Sequence, residues 1–74
     1  MNFKDYTSRP IIRRAAVIPD DAIVEYFPEK STASIGGFEF KCYEMPQHGD
    51  YVCYLSEDDI YHCNAAVFKE RNIV

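Results

Sequence analysis

No apolar run in this sequence approaches the roughly 18 residues of a membrane-spanning helix. The aliphatic run "AAVI" at 15–18 is a strand's worth. The opening "MNFKDYTSRP" lacks an apolar core followed by a small-residue cleavage site, so a secretory leader is not expected. Glycine is scarce, with three in 74 residues, and the pair at 36 and 37 stands alone. A glycine-rich phosphate loop is therefore missing. The three cysteines are an odd number at unrelated spacings. That argues against a disulfide framework and for reduced thiols in a cytoplasm. No C-x2-C knuckle, internal repeat or low-complexity segment is present.

Basic residues are also scarce beyond the first 14 positions. Residues 15–74 carry four Lys or Arg against eleven Asp or Glu, a local −7. Residues 1–14 carry Lys4, Arg9, Arg13 and Arg14 against Asp5 alone, a local +3. An acidic body repels nucleic-acid phosphate and favours basic protein surfaces, whereas a basic arm suits an anion.

What is present is aromatic and alternating. Seventy-four residues make one domain, and so short a chain buries only roughly 60% of its unfolded surface. Aromatic side chains, 15% of the total, compensate with large burial per residue. Residues 1–8 read as a flexible, polar arm, and 9–74 as the domain. "RPIIRRAAVI" at 9–18 predicts a first strand, its early half at a sheet edge because Arg13 and Arg14 point to opposite faces. "PDDAIVEYFPEK" predicts a helix over 21–27, with Asp20 as N-cap and Ile23, Val24 and Phe27 as its apolar stripe. "FEFKCYEM" alternates and starts a strand over 38–45, with Phe38, Phe40 and Cys42 inward. Phe27 and Phe40 are expected core residues.

The stretch "HGDYVCYLSEDDIYHC", 48–63, predicts a hairpin of strands 51–55 and 60–63 about the "SEDD" turn. A turn centred between Glu57 and Asp58 pairs Cys53 with His62 and Tyr54 with Tyr61. It puts Tyr51, Cys53, Leu55, Ile60 and His62 on one face, and Val52, Tyr54, Tyr61 and Cys63 on the other. Such a hairpin is either central and covered twice, or it exposes an aromatic patch. "NAAVF" resembles a helical turn capped by Asn64, and "KERNIV" a closing strand. The fold expected is α+β: a small antiparallel sheet of about four to five strands with one short helix packed on it.

Cys42, His48, Cys53, His62 and Cys63 are all legal zinc ligands, but no knuckle brings sulfurs together. A Cys–His nucleophile needs an electropositive setting, and this neighbourhood is acidic. Glu57, Asp58 and Asp59 lack the alternating oxygen pattern of a calcium loop and read as a solvated turn. No catalytic residue, metal or cofactor is therefore assigned. Tyr43, Tyr51, Tyr54 and Tyr61 exceed what so small a core needs, and tyrosine concentrates binding energy at interfaces. RNA-binding sheets place basic residues between their aromatics; here Lys41 stands alone.

The layout resembles small phage and prophage proteins with a "PGDY" or "PGDW" motif. Arg9-Pro10 stands at the start, Gly49-Asp50-Tyr51 at the motif, Tyr61-His62-Cys63 on the return strand and Phe68 after it. His48 replaces the motif's proline, and "NAA" the usual proline–acid helix start. The resemblance implies a phage accessory protein that binds and disables a host protein, including restriction or CRISPR machinery, in the host cytoplasm. It implies no catalytic residues. The expected partner-binding residues are Asp20, Asp21, Glu25, Tyr43, Tyr54, Glu57, Asp58 and Asp59, facing a host protein with a basic surface. No membrane or nucleic acid is expected as partner, and a homodimer stays open. The alternative is a nucleotide- or nucleic-acid-binding module using Lys4, Arg9, Arg13 and Arg14.

Overall fold

The computed structural model describes residues 2–8 and 12–73. Their strands are β1 (Lys4–Ser8), β2 (Ile12–Val17), β3 (Val24–Phe27), β4 (Thr32–Ile35), β5 (Phe38–Lys41), β6 (Tyr51–Ser56), β7 (Asp59–Cys63) and the two-residue β8 (Asn72–Ile73). Among the described residues one α-helix, α1 (Ala65–Arg71), lies between β7 and β8, and Pro28–Lys30 form a 3₁₀ turn. The strands form a single sheet in the order β3-β4-β5-β7-β6-β2-β1-β8. The fold is α+β, with a larger sheet than the four to five strands expected.

Four expectations need correction. Residues 21–27 do not form a helix: Val24–Phe27 is β3, paired with β4. Residues 21–27, between Pro19 and Pro28, satisfy a helical stripe and a two-residue alternation equally well. Here Val24 and Tyr26 alternate into the core, and sheet pairing overrides the local cap signal. Phe27 is accordingly half-buried, with the Lys30 ammonium 5.6 Å from its ring centroid.

Residues 4–8, expected to lie outside the sheet as an arm, run as β1 and pair on both sides, with β2 and β8. A polar segment joins because the ladder satisfies its backbone and Asp5 stands opposite Arg14. This makes β2 an interior strand between β1 and β6. The expected start of the first strand, including Arg9 and Pro10, lies outside the described residues.

Nor are β5, β6 and β7 consecutive antiparallel neighbours. The loop after β5 carries the chain past its nearest position, so β7 pairs with β5 in parallel, Lys41 opposite Tyr61. β6 lies beyond it, antiparallel to both β7 and β2.

The fourth correction is register. Ser56 opposes Asp59 as the turn demands, but an irregularity between Tyr54 and Ser56 slips the rest by one residue. Tyr54 then faces Ile60, Cys53 faces Tyr61 and Val52 faces His62. A single extra residue at Leu55 is enough, because a one-residue slip turns every side chain to the other face.

The strand expected over 38–45 ends at Lys41, whereas the Asn64 cap and the core position of Phe40 hold. Gly36 and Gly37, at φ 59° and 83°, form the two-residue β4–β5 turn, a backbone that requires left-handed residues. Asn64 caps α1, its side-chain oxygen accepting from Ala66 N at 2.9 Å. The sheet is covered on both faces. Ile18, Ala33, Phe40, Cys42 and Val52 centre one cluster; Ala15, Tyr51, Cys53 and Phe68 centre the other, under α1. Phe40 is core, as expected. The hairpin is thus the central, doubly covered case. Tyr51 is buried, Tyr54 and Tyr61 are half-buried, and Tyr43 is exposed.

Candidate functional site

The slipped register brings His62 onto the face of β7 that meets Asp50. Asp50 ends the loop leading into β6. Gly49 before it takes φ 93°, which lets the chain turn so that Gly49 N donates to Ile18 O and Ile18 N to Asp50 O. The Asp50 carboxylate then accepts three bonds. Gln47 N reaches Oδ2 at 2.9 Å, Ala65 N reaches Oδ1 at 2.9 Å, and His62 Nε2 lies 2.8 Å from Oδ2. A carboxylate has no proton to give, so Nε2–H donates.

Both side chains are sealed, at 4% exposure for His62 and 6% for Asp50. Burial alone pushes the Asp50 carboxyl up. The His62 hydrogen bond, the two backbone amides and the histidine's charge outweigh it and hold the group below its usual 3.8. Aspartate–histidine pairs also occur in nucleophilic triads, where a nucleophile lies within reach of the imidazole. Cys63 follows His62 on the strand and packs into the cluster on the opposite face. What the pair does here is join three elements: the loop before β6, strand β7 and the first turn of α1.

Of the three cysteines, Cys42 and Cys53 are buried and Cys63 is half-buried. Burial, together with the charges of Glu44 and Asp50, raises Cys42 above its usual value, although its thiol donates to Glu44 O. Among the described residues no group of three or more His, Cys, Asp or Glu is placed to hold a metal ion. His48 reaches away from the thiols, its Nε2–H donating to Ala22 O at 2.9 Å.

The expected partner-binding residues fall into separate sets. Asp20, Asp21 and Glu25 are exposed around the turn into β3. Ile23, among them, is 82% exposed. Sequence reasoning had assigned it to an apolar stripe and so missed it; an isoleucine flanked by carboxylates was the available signal. Glu57 and Asp58 are exposed at the β6–β7 tip beside Leu55, itself exposed at the bulge. Asp59 is tied to Lys41 at 3.1 Å.

Tyr43 is 80% exposed and stands at a surface groove of about 420 Å³ with Tyr61, Val67 and Arg71. Tyr54 is engaged within the fold: the Phe3 ring meets it edge-on at 5.9 Å, and the Arg14 guanidinium lies 5.8 Å from its centroid.

Lys4 is exposed on β1, and Arg14 pairs with Asp5 at 3.7 Å. Arg13 lies on β2 opposite Tyr6, and Arg9 is outside the described residues. Among the described residues no helix is long and apolar enough to cross a membrane. No protein-family model, curated protein or solved structure matches the chain.

Proposed function

We propose that this is a non-enzymatic binding domain that docks on a basic surface of a host protein, as the phage and prophage accessory proteins resembled by its "GDY" hairpin would do. The observation that carries this reading is Ile23, an aliphatic side chain left 82% exposed among Asp20, Asp21 and Glu25. An apolar anchor ringed by charge is the arrangement interfaces use: the anchor holds the complex, while the charges speed encounter and select the partner. Leu55 beside Glu57 and Asp58 repeats it on a smaller scale. Among the described residues none of these five carboxylates has an ion-pair partner, so an incoming cation displaces no internal bond.

Nucleic-acid-handling enzymes present such basic surfaces. Restriction and CRISPR effectors in the host cytoplasm are therefore the first partners to test. Capture from host lysate with the intact chain, followed by mass spectrometry, should recover a basic protein. A variant with Asp20, Asp21, Glu25, Glu57 and Asp58 changed to Lys should lose it. Retention of nucleic acid or nucleotide alone would instead support the basic residues Lys4, Arg9, Arg13 and Arg14 as the site.

A further inference from the structure

The β3 strand is one edge of the sheet: among the described residues it pairs with β4 and with no other strand. An edge leaves a row of backbone N–H and C=O groups open, a template for pairing with another extended chain. Val24–Phe27 holds no lysine, proline or bulge, and its short length and Glu25 are the edge devices it does carry. The strand is approached through Asp20, Asp21 and the exposed Ile23, and carries the exposed Glu25.

We propose that the free edge of β3 docks an extended, lysine- or arginine-bearing segment of a partner protein, which adds to the sheet as a further strand. The proposal rests on the protein-binding reading above and specifies its site and the form of its partner. Strand addition draws affinity from main-chain hydrogen bonds, and side-chain contacts supply selectivity. Charge decides the occupant. A second copy pairing β3 with β3 would gather Glu25, Asp20 and Asp21 of both chains along one seam, and facing like charges destabilise a strand pair. A basic strand meets the same carboxylates as partners, and an aliphatic residue flanking its cations can cover Ile23.

The test titrates the labelled full chain with a peptide of about ten residues that alternates lysine and valine, following amide resonances. Shifts and slowed amide exchange should concentrate on residues 22–27 and weaken with added salt. Changing Asp20→Lys, Asp21→Lys and Glu25→Lys together should weaken binding about tenfold or more, whereas Glu70→Lys, at an exposed position on α1, should leave it intact. Two peptides N-methylated on alternate residues, one for each register, separate strand addition from simple charge attraction. At least one should fail to bind, although every side chain is kept. Equal binding by both overturns the proposal, as does the absence of any binding. Shifts centred on the hairpin tip or the Tyr43 groove also overturn it, and leave the protein-binding reading standing. Concentration-dependent shifts at β3 without peptide would identify a second copy as occupant and overturn it too.

Discussion

Phe68 and Tyr51 stack ring on ring, their centroids 3.8 Å apart and their planes 12° from parallel. Tyr6 closes the group edge-on, 5.1 Å from Phe68. This aromatic contact seats α1 on its face of the sheet, so Phe68→Ala removes both a buried ring and the helix's anchor. A buried phenylalanine truncated to alanine costs about 3–5 kcal/mol, close to the whole stability of a domain this small. Phe68→Ala and Phe40→Ala should therefore be largely unfolded at room temperature. Phe27→Ala, at a half-buried position, should keep a cooperative thermal melt. Circular dichroism melts of the three variants check this.

Asp50 sets an acid limit on stability. Its carboxyl titrates lower in the folded chain than in the unfolded one, so the unfolded state takes up protons first as pH falls. The stabilisation is fully present above the unfolded value near 3.8. It is lost as pH drops from there through the lower folded value. Asp50→Asn should therefore cost about 2 kcal/mol near neutral pH, the scale of a charge-assisted hydrogen bond. That cost should shrink as pH falls below about 3.8 and through the lower folded value. Urea unfolding of both proteins across that range gives the two curves, and parallel curves would contradict this account.

Cys42 should be a slow thiol. It is 1% exposed, and burial holds it above its usual value. Thiolate, the species that alkylates, is correspondingly scarce. Iodoacetamide at neutral pH should leave Cys42 unmodified in the folded chain and label it readily in urea, as peptide mass mapping will show.

Charge and anchor should separate kinetically once a partner is in hand. Reversing Glu57 and Asp58 to lysine should slow association and flatten its dependence on salt. Tyr43→Ala should instead speed dissociation, by an amount corresponding to about 2 kcal/mol for a good anchor. Tyr54→Ala should do less at the interface, because that ring already packs against Phe3 and Arg14. Surface plasmon resonance resolves the two rates.

The hairpin, the Asn64 cap and the core position of Phe40 were legible because each rests on a local signal: a turn, an Asx cap, a run of alternation. The partnership of β5 with β7 was not, since it depends on where the loop between β5 and β6 lands. The failure at 21–27 has a related cause: a short stripe flanked by Pro19 and Pro28 is ambiguous until β4 offers it a ladder. The Asp50–His62 pair was hidden by one residue. A regular hairpin puts His62 on the face away from Val52, and so away from Asp50 two residues earlier. The bulge at Leu55 brings them to the same side, and nothing in "YLSEDD" announces it. Exposure at Ile23 was lost with the expected helix, because an isoleucine in a stripe is read as buried.

The strand order also bears on how the chain is made. β1–β2 and β3–β4–β5 leave the ribosome first, yet they do not touch in the sheet order; the β7–β6 pair stands between them. A nascent chain ending near residue 50 therefore holds two sub-sheets with open inner edges and no common ladder. The hairpin 51–63, inserted as one piece, closes both edges at once, with β6 against β2 and β7 against β5. Until then those edges are the surfaces a chaperone would meet.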